Sequence, residues 1–187
     1  MFILPLLLAL STAQDADAPR VILRQATLAV EGDSVAQFRK RWDARLRRNA
    51  NDRPALLVQA TIARLTYDYP SADKLYQQLL RDDPAQVDRY AAFARLGFAQ
   101  GLALRGYRGE GDKQYELARR DARAIGDRLL EGETLVTIAV IRSRTQGLDV
   151  QEATFDSAAR MFPDTSYALR ALLLWRWAIV HALRGRP

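Results

Sequence analysis

The stretch YDYPSADKLYQQLLRDDP, residues 67–84, places Ala72, Tyr76, Leu79 and Pro84 at steps of four, three and five residues. The first two steps set a small residue, a large aromatic and a leucine on one helix face, and proline ends the helix. Such a helix can cross a neighbour closely at its alanine and fill the groove beyond with its tyrosine. The phrase recurs. Tyr76, Tyr115 and Phe155 lie 39 and 40 residues apart, each followed three residues later by Leu79, Ala118 or Ala158. On the first helix of each pair, Ala60, Gly97, Ala139 and Ala178 repeat a small residue at intervals of 37, 42 and 39. One helix pair cannot bury such faces alone, so successive pairs are expected to stack.

Outward from this stretch, apolar residues keep three- and four-residue spacing and no run of strict alternation reaches strand length, which predicts an all-α chain. Helices are expected over 34–48, 54–66, 69–82, 88–105, 111–125, 128–145, 150–162 and 166–184, with a short one over 21–31. Val35, Phe38, Trp42 and Leu46 form one stripe, entered through Ser34 with Gln37 three residues on, a capping-box arrangement. Asp68 before Pro70, Gly126 with Asp127, Asp149 with Glu152, and Asp164 with Thr165 supply further caps and breaks.

These residues resemble the tetratricopeptide repeat family, whose helix hairpins carry a large residue, Leu-Gly, Ala, an aromatic and Pro in order. The fullest match is Leu56, Ala60, Ala72, Tyr76, Leu79 and Pro84, and Leu96-Gly97 is kept in the second repeat. The resemblance implies a right-handed α-solenoid of antiparallel helix hairpins over 53–187, in repeats 53–87, 88–126, 127–164 and an incomplete 165–187. Residues 21–52 then form an N-terminal helical cap. The period near 40 instead of 34, Gly111 and Gln151 at positions where Ala is usual, and AIGDRLLEGE at 124–133 look like the long Gly-Asp repeats of kinesin-light-chain-like and bacterial CHAT-associated proteins.

The family's role implies a non-enzymatic protein-interaction scaffold, with a concave wall containing Thr61, Arg64, Phe98, Val140 and Arg144. The family's pocket for peptide C-terminal carboxylates needs Lys and Asn on the first helices, and neither stands there. A groove of arginine and apolar residues suits an extended or helical peptide of a protein partner instead. The CHAT resemblance implies an alternative: a sensing or substrate-positioning region for a Cys-His peptidase domain, no part of which is in this chain.

Chemistry finds little support. The chain has no Cys and one histidine, His181, which argues against metal sites built on thiolates or imidazoles, and no cofactor is expected. GYRGEGD at 106–112 lacks the Lys-Ser/Thr of a phosphate loop and reads as the turn of the second repeat. No serine or aspartate arrangement accompanies His181, which reads as structural. Asp127, Glu131 and Glu133 fit the preference of carboxylates for a helix's first turn.

Of 28 cations, all but Lys40, Lys74 and Lys113 are arginines, and the net charge is +6. The run RKRWDARLRRNANDR at 39–53 could grip a nucleic-acid backbone through Arg39, Lys40 and Arg41, but Trp42 belongs to the apolar stripe. The cations then read as a solvated face, arguing against nucleic acid and leaving an anionic protein or membrane surface open. At the N-terminus, apolar Phe2 to Leu10 precedes Ser11-Thr12-Ala13, so residues 1–20 resemble a signal peptide and predict export to a bacterial periplasm or medium, although no cation precedes Arg20. At the other end, Arg170 and Arg176 interrupt the apolar run, which argues against a membrane span. Leu172, Trp175 and Ile179 are expected to meet further repeats or another subunit.

Overall fold

The computed structural model describes residues 18–80, 87–162 and 167–185; Pro84, the apolar run Phe2 to Leu10, and the Asp164-Thr165 break lie outside them. The described residues are all-helical, without a strand. They divide into two compact units, one up to Leu79 and one from Leu80.

The first unit is organised around its third helix. Helix α1 (Pro19–Glu31) starts on a proline, whose missing N–H costs nothing in a first turn, and buries Ile22, Ala26 and Ala29 at four- and three-residue steps. It is longer than the short helix expected from residue 21. Helix α2 (Val35–Arg48) buries Trp42 completely, with the Phe38 ring 6.1 Å away. Both pack on α3 (Arg53–Leu65), in which every residue from Ala55 to Ala63 is buried. Such all-round burial needs neighbours on several sides. Helix α4 (Tyr69–Leu80) supplies one, burying Ala72, Tyr76 and Leu79 of the recurring phrase. Arg53 of α3 donates to the Leu79 carbonyl at 3.1 Å, fixing the end of this pair.

The second unit holds α5 (Arg89–Leu104), α6 (Arg108–Ala124), α7 (Arg128–Gln146), α8 (Leu148–Ala159) and α9 (Tyr167–Leu183), and from α6 onward each packs on its predecessor in the chain. The core near the end joins Leu135 and Ala139 of α7, Phe155 and Ala158 of α8, Phe162, and Leu173 and Val180 of α9. Gly132 lets α7 approach closely: a Cβ there would fall 2.4 Å from the buried Phe162 ring.

Four connections, α1–α2, α3–α4, α5–α6 and α6–α7, are three residues long and fold the same way. In each, the residue before the next helix sends its N–H five residues back: Ser34 to Ala29, Asp68 to Ala63, Tyr107 to Leu102 and Asp127 to Ala122, at 2.8–3.0 Å. The middle residue is left-handed, with φ of 53° at Asp33, 64° at Tyr67, 85° at Gly106 and 71° at Gly126. This is the glycine-favouring helix stop, and Tyr67, a bulky aromatic, occupies it at a strain cost. Asp68 and Asp127 then cap the helices that follow, accepting from Ser71 N at 3.3 Å and Leu130 N at 2.8 Å.

Several local expectations change. Ser34 precedes α2 but its hydroxyl donates back to the Ala29 carbonyl at 3.4 Å, so the capping box is not formed. Of the glycine-rich segment only Gly106 and Tyr107 precede α6, and Gly109 and Gly111 lie inside it. Gly111 is buried against the Ala99 carbonyl and Ala103, which explains a small residue there. Helix α8 begins at Leu148 after Gly147, so Asp149 sits in its first turn instead of capping it. Among the described residues, no helix is long and apolar enough to cross a membrane.

Candidate functional site

The residues expected on a concave wall fall into both units. In the first, Thr61 is buried, and its hydroxyl lies 3.4 Å from Tyr76 Oη across the α3–α4 contact. Arg64, one turn on and half-buried, donates Nε to the same oxygen at 3.4 Å. Thr61 is thus occupied in fixing Tyr76, and of the two only Arg64 offers surface.

In the second unit, Phe98 of α5 and Val140 of α7 are half-buried, and Val140 packs against the core around Phe155. Arg144 belongs to α7, at its C-terminal end. Leu172 belongs to α9. Trp175 is 56% and Ile179 37% exposed, and Leu174 beside them is 61% exposed, so α9 presents large apolar side chains to solvent. The Arg176 guanidinium stands 4.8 Å from the Trp175 ring centroid.

Inter-helix ion clusters that no sequence motif announces join the helices of the second unit. Asp121 of α6 is fully buried, accepts from Arg95 Nε of α5, and takes Arg120 Nη2 at 3.2 Å. Arg95 also donates to Gln114 Oε1 at 3.3 Å. Glu131 of α7, in the first turn as expected, is nearly buried and is held by Arg123 and, at 3.6 Å, Arg119 of α6. The first cluster ties α5 to α6 and the second ties α6 to α7. A signal existed for Asp121: it stands three residues after Ala118 and one before Ala122, on the apolar side of its helix. On α8 and after α9, Arg184 reaches Asp149 and Glu152, and His181 Nε2 lies 3.9 Å from Glu152 Oε1. Each of these carboxylates is engaged by arginine, so the geometry is that of helix fastening.

A cleft of about 320 Å³ opens between α6 and α7. Ile138 and Ile141 supply its apolar lining, while Asp112, Lys113, Glu116 and Arg142 supply charge. Arg142 bridges to Glu116 at 2.5 Å. The cleft is the size of an amino-acid side chain or two, and an apolar lining flanked by charges of both signs suits a peptide side chain.

Helix α2 carries the other charged feature. Lys40, Arg41, Arg47 and Arg48 are exposed, whereas Arg41 and Arg45 also set their guanidinium groups 5.3 and 5.0 Å from the Trp42 ring centroid. Trp42 itself is enclosed, as the stripe predicted, and cannot stack on a base. Among the described residues, no group of three or more His, Asp or Glu side chains is placed to hold a metal ion. No protein-family model, curated protein or solved structure matches the chain.

Proposed function

We propose that this chain is a non-enzymatic interaction scaffold: a right-handed solenoid of tetratricopeptide-like hairpins in an exported bacterial protein, which holds a peptide segment of a protein partner. The observation that carries the reading is the second unit's packing, in which each helix from α6 onward lies on the one before it in the chain. Stacking by nearest neighbours is the architecture of repeat proteins, whose exposed faces serve as binding surfaces. Arg64 and the half-buried Phe98 and Val140 are the contacts proposed for the partner, with the α6–α7 cleft accepting one of its apolar side chains.

Two measurements test this. Small-angle scattering should give a radius of gyration above the roughly 16 Å of a compact domain of this length; a value at that figure argues for a closed bundle. The immobilised full chain should retain proteins from periplasmic extract that Arg64→Glu and Phe98→Asp variants release, while both variants melt as the parent does. Equal retention by parent and variants would refute the assigned surface.

A further inference from the structure

We propose that the outer face of α2, with that of α1, is a docking surface for an anionic lipid bilayer, separate from the peptide-binding role above. The exposed charged side chains of α2 are Lys40, Arg41, Arg47 and Arg48, and all are cations. On a helical wheel they fall within an arc of about 120°, separated only by Gln37 and Ala44. The carboxylates of α2 itself and of the turn after it are engaged elsewhere. Asp43 is half-buried and accepts from Gln59 Nε2 at 2.6 Å. Asp52 caps α3 through Ala55 N at 2.9 Å and pairs with Arg45 at 2.8 Å. Lys40, Arg47 and Arg48 make no salt bridge to a described carboxylate.

The choice of a bilayer over nucleic acid rests on what accompanies the charge. A single strand is gripped by cations interleaved with exposed aromatic rings, and Trp42 is wholly enclosed. Helix α1, packed against α2, exposes Val21, Arg24, Gln25 and Leu28 along one stripe that ends at Glu31. Val21 is 40% and Leu28 55% exposed. Val21 and Leu28 flank Arg24 on that stripe; aliphatic side chains beside a cation have no use on a phosphodiester backbone, but a membrane interface takes both, the aliphatic groups at the acyl boundary and the cations at the headgroup phosphates.

The test is co-sedimentation of the full chain with vesicles of phosphatidylcholine alone or mixed with phosphatidylglycerol, with mixed-sequence RNA and duplex DNA titrated at the same ionic strength. Binding to the mixed vesicles only is expected, weakening with salt and by about fivefold for each of Lys40, Arg41, Arg47 and Arg48 changed to Gln. Changing Val21 and Leu28 to Ser should weaken the binding left at physiological salt more than that at low salt. All six positions are exposed, so circular dichroism should show unchanged helix. No sedimentation at low salt, equal sedimentation with neutral vesicles, or full binding by the four-Gln variant overturns the proposal. Tighter binding to RNA or DNA, lost in the same variant, reassigns the surface to nucleic acid and also overturns it.

Discussion

The pair α3–α4 and the run α5–α6–α7 turn on the same three-residue stop, yet they are fastened across their contacts by different chemistry. In the first, beside the Arg53 bond to the Leu79 carbonyl, the pair shares one tyrosine hydroxyl between Thr61 and Arg64 at 3.4 Å each. In the second, buried carboxylates of Asp121 and Glu131 take arginines from the neighbouring helix. Tyr76 brings a neutral hydroxyl to contacts of that length, which add little and strand no buried charge when cut. A buried ion pair is nearly neutral as a whole, because desolvation offsets attraction, but removing one member strands the other. Backbone regularity therefore conceals unequal tolerance to substitution.

Asp121→Ala should show the contrast most strongly. Arg95, whose side chain is only 15% exposed, would lose its carboxylate, and the loss expected in urea unfolding is about 3–5 kcal/mol. Replacing Asp121 by Leu together with Arg95 by Met should recover most of that loss. If the double variant is as unstable as the single one, the pair does more than compensate its own burial. Gly132→Ala comes next. Helix propensity favours it by about 1 kcal/mol, but the new methyl meets the Phe162 ring, itself buried in the core. Overpacking at about 1–3 kcal/mol should win, and calorimetry would show a lower melting temperature; a higher one would mean that Phe162 yields.

On the neutral side, Tyr76→Phe should cost about 0.5–1 kcal/mol, since Thr61 can turn its hydroxyl to its own helix backbone. A loss as large as that of Asp121→Ala would erase the distinction between the two regions. The smallest effect is expected at Gly111→Ala, where the added carbon meets Ala103 N at 3.4 Å and Ala103 Cβ at 3.6 Å, ordinary contact. Helix propensity should then raise stability by up to about 1 kcal/mol, read as a shifted urea midpoint. Destabilisation would show that α5 and α6 need the glycine's closeness, as α7 needs Gly132.

Helix positions were largely legible because burial here follows the helical period. Ala72, Tyr76 and Leu79, then Tyr115 and Ala118, then Phe155 and Ala158 are all buried as the recurring phrase requires. What escaped was polar. Asp121 carries a formal charge, and charge alone reads as surface until its place on the apolar side is counted. Thr61 was expected to face a partner, but Tyr76 folds over it, a tertiary contact that no spacing within α3 announces. The start of α6 was displaced by three residues because glycine density mimics a turn, while Gly109 and Gly111 serve a helix.

Asp68 and Asp127 each finish one helix and begin the next. An inserted residue at either junction would have to split those duties between two positions, and one helix end would forfeit its cap at about 1 kcal/mol. Length variation among descendants of this chain should therefore avoid these junctions, and its growth or shrinkage there should come in increments of entire helix pairs.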